Sequence, residues 1–262
     1  MSNANSGIGT DVIQVQPAIR VLSPADLKGV LARGWDDFVA MPTFAIFLVV
    51  IYPIIGVVLF SATFGYNMLP MAFPLIAGFA LIGPVAAVGL YELSRSREQG
   101  LEISLGYRHF LRSYAIANIL TLGAVLLVIF VVWLATARAI YASIFDGLDP
   151  RSVGEFFELV FTTSRGWTLI VVGCGVGFLF ALAAFTISVV SFPMMLDRNV
   201  SAFTAALTSI RVVLANPRTM ALWGLIVAGA LVIGSLPCFV ALIVVLPVLG
   251  HSTWHLYRAA VE

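Results

Sequence analysis

Ser113-Tyr-Ala-Ile-Ala-Asn-Ile-Leu-Thr-Leu-Gly-Ala-Val-Leu-Leu-Val-Ile-Phe-Val-Val-Trp-Leu-Ala-Thr-Ala137 is an uncharged run bounded by Arg112 and Arg138. A helix crossing ~30 Å of hydrocarbon needs about 20 apolar residues, and lipid offers no partner to an open backbone group. The run therefore reads as a membrane span. On its N-terminal side, Phe38 to Tyr91 is also free of charge and has room for two spans, divided by the polar piece Ser61-Ala-Thr-Phe-Gly-Tyr-Asn-Met-Leu-Pro70. Spans are expected near 43–62 and 70–91. On its C-terminal side, Gly166 to Leu196 makes a fourth, and Thr219 to Tyr257 folds back at Gly234-Ser-Leu-Pro237 into two short ones. The sequence thus predicts an all-α membrane protein with six transmembrane helices.

The composition agrees. Of 262 residues, 61% are hydrophobic and 10% charged, against roughly 45–50% and about 25% in soluble domains. The net charge of +1 and the scattering of the 14 basic residues argue against a nucleic-acid partner, since phosphate binding needs a concentrated basic face. The lipid bilayer is the expected partner, with other membrane subunits as candidates. The first 37 residues hold no apolar core of signal-peptide length, so the N-terminus is expected to stay on the side where it is made. Residues 1–22 read as a disordered cytoplasmic segment and 23–262 as a single membrane domain. Cys174 and Cys238 lie inside apolar stretches and read as buried thiols.

Lys and Arg collect in cytoplasmic loops. Arg20, Lys28, Arg33, Arg95, Arg97, Arg108, Arg112, Arg198, Arg211, Arg218 and Arg258 fall on one side, and only Arg138, Arg151 and Arg165 on the other. Both termini are therefore expected inside.

Each hairpin of spans follows a segment with helical apolar spacing, which predicts an amphipathic helix along the cytoplasmic membrane surface. Leu27, Val30, Leu31, Trp35 and Phe38 form one stripe, Ile103, Tyr107, Phe110, Leu111 and Tyr114 a second, and Phe203, Ala206, Leu207, Ile210, Val213 and Leu214 a third. Ser23-Pro24-Ala-Asp26 and Ser201 supply helix starts. Met41-Pro42 and Asn216-Pro217 mark bends into the membrane. Pro84 precedes Glu92 and Arg95 at the spacings at which Pro247 precedes His255 and Arg258. These parallels predict three pseudo-repeated units, each a surface helix plus a two-span hairpin, at 23–97, 98–198 and 199–262. The middle unit carries an outward-facing insertion at 140–163. Ser152 and Glu155 form a capping box there, and Val153, Phe156, Phe157, Val160 and Phe161 give a one-sided aromatic stripe. That stripe lies on the outer leaflet or docks against a partner.

Candidate chemistry is sparse. His251 and His255, four apart on one helix face, are weak candidates for a metal or haem site, because no third ligand stands near them. The competing reading places them in an interfacial belt anchored by Trp254 and Tyr257. Glu92 and Asp197 stand near the inner ends of spans, where a carboxylate can relay protons, but Arg95 and Arg198 are positioned to pair with them at the interface. No charge lies near the middle of a span, which argues against an ion pump. Prolines that break the spans are compatible with a transporter. Gly173, Gly175 and Gly177 follow no strand and read as helix-packing positions. No catalytic constellation is present, so no enzyme and no cofactor are expected.

Gly83-Pro-Val-Ala-Ala-Val-Gly-Leu-Tyr-Glu-Leu-Ser-Arg95, Phe192-Pro-Met-Met-Leu-Asp-Arg198, Asn216-Pro217 with Trp223, and Pro247-Val-Leu-Gly-His-Ser-Thr-Trp-His-Leu-Tyr-Arg258 together resemble a bacterial family of predicted integral membrane proteins of unknown function. Some members carry the label putative cytochrome c oxidase subunit I. The resemblance spans about residues 20 to 260 and implies a bacterial inner-membrane location without an established activity. A haem–copper catalytic subunit uses about six histidines inside its spans, whereas this chain has three in all, and His109 lies outside any expected span. The functional expectation is a non-catalytic accessory, assembly or scaffold component of an inner-membrane complex, with a respiratory complex suggested by the label alone. The alternative is a transporter of a small neutral or amphiphilic solute.

Overall fold

The computed structural model describes residues 17–42, 46, 69–79, 81, 83–101, 114–146, 150, 152–237 and 239–262. Among them the regular structure is helical, as long charge-free runs require. The chain forms α1 (Asp26–Ala40), a 3₁₀ turn (Leu69–Met71), α2 (Ala72–Phe79), α3 (Gly83–Ala86), α4 (Val88–Glu98) and α5 (Ala115–Phe145). It continues through α6 (Val153–Thr162), α7 (Ser164–Ser188), α8 (Ser191–Asp197), α9 (Ala202–Ala215), α10 (Pro217–Ser235) and α11 (Leu242–Ala260). Three helical stretches, Ala115–Phe145, Ser164–Asp197 and Pro217–Ser235, are long and apolar enough to cross a membrane. Apart from Ile46, the expected span at 43–62 lies outside the described residues, as do the stripe residues Ile103, Tyr107, Phe110 and Leu111, and also His109 and Cys238.

Local chemistry explains where helices start. Ser23 donates from both its backbone N and its Oγ to Asp26 Oδ2, at 2.7 and 2.8 Å, ahead of α1. Ser152 Oγ accepts from Glu155 N at 3.1 Å, Thr163 Oγ1 from Gly166 N at 3.0 Å and Ser201 Oγ from Thr204 N at 3.1 Å, satisfying N-terminal amides of α6, α7 and α9. α5 is longer than its span, running on past Arg138 to Phe145. The outward insertion expected from 140 therefore begins with helix, because no breaker precedes Asp146.

Packing differs sharply between the two ends. At one end α1, α4, α8 and the second half of α11 enclose one another, and every residue from Ser191 to Leu196 is buried. Trp223, Trp254, Tyr257, Phe192 and Met194 are among the fully buried side chains there. Along α5, α7 and α10, in contrast, Val128, Val131, Val171, Phe178, Leu225 and Ile233 are exposed. Exposed apolar bands of this extent need a lipid solvent.

Glycines set the close approaches. A Cβ on Gly34 would stand 2.0 Å from Ser252 Oγ and 2.7 Å from Ser252 N, so α1 and α11 touch there. Gly250 meets Leu90 of α4 in the same way. Trp133 of α5 wedges between Gly78 of α2 and Gly177 of α7, and its indole N–H donates to Pro74 O at 2.9 Å. Of the three spaced glycines only Gly177 makes such a contact, since Gly173 and Gly175 face open space.

Residues 17–22, expected within a disordered segment, are held. Ile19 forms an antiparallel bridge with Val261, Arg20 N donates to Ala260 O at 3.0 Å and Glu262 N to Ala18 O at 3.0 Å. Asn216, before Pro217, accepts from Leu22 N at 2.6 Å and donates to Arg20 O at 3.1 Å, while Thr219 Oγ1 donates to Leu22 O at 2.8 Å. Unpaired backbone groups in a packed environment need such partners, and the side chains beside the Asn216-Pro217 bend supply them.

Candidate functional site

Asp37 is the centre of the polar end. The spacing Val30, Gly34, Asp37 places its carboxylate on the buried face of α1, where its side chain is only 5% exposed. Asp37 Oδ2 accepts from Ser94 Oγ of α4 at 2.6 Å and from His255 Nε2 of α11 at 2.8 Å, and Arg97 pairs with Oδ1. Burial raises the acid's pKa, but the hydrogen bonds from His255, Ser94 and Arg97 outweigh it and hold the carboxyl down at about 2.

Proton positions follow from this charge. An ionised carboxylate only accepts, so Ser94 spends its single proton on Asp37 and His255 carries a proton on Nε2. Ser94 Oγ lies 2.7 Å from His251 Nδ1, so that nitrogen is the donor. The order His251, Ser94, Asp37 is not that of a nucleophile relay, in which a histidine takes the serine proton. Ser94 is also only 1% exposed. The arrangement binds three helices together.

A second cluster continues it. Glu98 at the end of α4 accepts from Trp254 Nε1 at 2.9 Å and from Arg258 Nε at 3.1 Å. Arg258 Nη1 reaches Asp197 Oδ2 of α8 at 3.3 Å, and Tyr257 OH donates to the same oxygen at 2.6 Å. Arg198 Nε donates to Tyr257 OH at 3.1 Å and stands 3.9 Å from Asp197. Glu92 is buried and bonded by Arg95 Nη1 at 3.3 Å and Ser96 Oγ at 3.4 Å.

The structure brings Asp197, Arg198, Trp254, Tyr257, Arg258 and the two histidines into one region, with the Glu92–Arg95 pair on α4. Trp254 and Tyr257 are 1% and 0% exposed, so they pack inside the protein and not in a lipid-facing belt. The face of α11 that carries them is covered by α1, α4 and α8. The histidine pair splits between Ser94 and Asp37, and among the described residues no group of three His, Cys, Asp or Glu is placed to hold a metal ion. Asp37, Ser94, Arg97 and Glu98 were not among the sequence candidates. A carboxylate in register with Val30 and Gly34 is the signal that marks Asp37.

The aromatic insertion has two sides. Val160 is buried against α7, where Gly166 lets the chain turn back. Phe157 and Phe161 stack outward, their rings 5.9 Å apart and 12° from parallel, with Phe156 against Phe157 at 6.0 Å.

Long apolar helices joined by buried polar contacts at one end define a multi-pass α-helical integral membrane protein. Residues 71–197 match a family described as predicted integral membrane protein (DUF2189), to which the chain is similar over that stretch. No curated protein and no solved structure matches the chain.

Proposed function

We propose that this protein is a non-catalytic accessory, assembly or scaffold component of a complex in a bacterial inner membrane, built from three repeated units with both termini cytoplasmic. The observation that carries the reading is the use of the polar groups. Asp37, Ser94, Arg97, Glu98, Asp197, His255 and Arg258 are spent on one another across four helices, and the apolar stretches 115–137, 166–196 and 219–235 of the three long helices hold no charge. Such a molecule is a rigid support. The Phe157–Phe161 ladder offers partner subunits an aromatic surface. Transport of a neutral solute is the second reading, motivated by the prolines that break the expected spans.

Gentle extraction from the native membrane, chemical cross-linking and mass spectrometry test the proposal. Stoichiometric partner polypeptides are expected, and the Phe157→Ser/Phe161→Ser variant should lose them while keeping its melting temperature. Recovery of a single polypeptide with no cross-linked partner counts against it. Respiratory subunits among the partners would place the complex, in line with the label that some of the resembling proteins carry.

A further inference from the structure

Arg20, Arg33 and Arg258 rim an open cleft of about 310 Å³ between the N-terminal segment, α1 and the end of α11. The cleft is lined by three arginines and one carboxylate, Asp26, which is already engaged by the backbone N–H and hydroxyl of Ser23 and also feels the charge of Arg20. Arg258 has counter-charges in Glu98 and Asp197, both outside the cleft. Among the described residues neither Arg20 nor Arg33 has an ion-pair partner within 4.0 Å. The neighbouring cleft of about 300 Å³ shares Arg33 but sets Arg33 and Arg97 against Asp36, Asp37 and Glu98. Only the first cleft has an excess of positive charge.

Gly29 lines this cleft, and a Cβ added to it would meet nothing within 4 Å. The absent side chain keeps the space open beside forked donors whose geometry suits phosphate oxygens. Val21 and Trp35, 77% and 50% exposed, add apolar surface on the same two segments. We infer that the Arg20–Arg33–Arg258 cleft binds a phosphate group, presented by an anionic phospholipid headgroup or as free phosphate.

The full chain in dodecyl maltoside micelles tests this by its melting temperature, titrated separately with dihexanoyl-phosphatidylglycerol and with inorganic phosphate. Saturable stabilisation is expected from at least one of them. Stabilisation by the lipid alone assigns the site to a headgroup, and stabilisation by both assigns it to the phosphate group itself. Arg33→Gln should raise the midpoint concentration at least tenfold, whereas Lys28→Gln, which removes the same charge from the same helix outside the cleft, should leave it within twofold. Gly29→Leu keeps every arginine and fills the space, so it should weaken binding as much as Arg33→Gln. The inference is overturned if neither probe gives saturable stabilisation, if Lys28→Gln weakens binding as much as Arg33→Gln, or if Gly29→Leu binds normally.

Discussion

A carboxylate shut away from water destabilises a protein unless donors surround it, and Asp37 has them from two other helices. Its folded pKa of about 2 lies below the ordinary 3.8, so the group stabilises the fold above about pH 4 and that contribution fades as pH falls toward 2. A shift of this size is worth about 2 kcal/mol. The melting temperature of the detergent-solubilised protein should fall between pH 5 and pH 2.5, and Asp37→Asn should lose most of that dependence. Equal losses in both proteins would refute the assignment. Asp37→Ala strands Arg97, His255 and Ser94 together and should cost about 3–5 kcal/mol at neutral pH. The sequence showed Glu92 with Arg95 and Asp197 with Arg198 because these partners are neighbours along the chain. Asp37 with Ser94, 57 residues away, and with His255, 218 away, was beyond local reading. Only the tertiary fold brings such groups together.

α1 carries two glycines whose substitution should act in opposite directions. Gly29→Ala meets open space and should stabilise by up to about 1 kcal/mol through helix propensity. Gly34→Ala drives a methyl into Ser252 and should destabilise by about 1–3 kcal/mol. Ser252→Gly should restore only part of the loss, because the Ser252 backbone also lies within 3 Å of the new atom. Melting temperatures of the three variants decide it, and a Gly34→Ala protein as stable as the parent would show that the helices do not meet here. Helix existence was legible from charge-free runs and caps, but the buried face was less so. Trp35 belongs to the apolar stripe expected to lie along the membrane surface and is 50% exposed, whereas Leu27, Val30 and Phe38 of the same stripe are covered by the protein together with Gly34 and Asp37. In α9, Phe203 and Leu214 point outward at 73% and 72% exposure, and Ala205, Thr208, Ser209 and Val212 are buried. Beside a bilayer the large apolar side chains can face lipid, and small residues let helices approach. Ser209 has a further use, accepting from Val190 N at 3.3 Å where α7 gives way to α8.

At the scale of the molecule, Asn216 and Thr219 tie the N-terminal segment to the last hairpin. Asn216→Ala removes the acceptor for Leu22 N and the donor to Arg20 O, so hydrogen exchange across residues 17–22 should speed up at least tenfold while α5 and α7 stay protected. Unchanged exchange at 17–22 would mean that the bridge to Val261 and the Thr219 hydroxyl hold the segment without Asn216. The pairing of the two ends also has a consequence in parity. A chain whose Arg20 and Ala260 meet through a backbone hydrogen bond of 3.0 Å must cross a bilayer an even number of times between them. The three two-span units proposed above meet that requirement, whereas the three long apolar helices among the described residues would not by themselves. Reporters fused to the two ends should therefore always light up in the same compartment, whichever compartment it is.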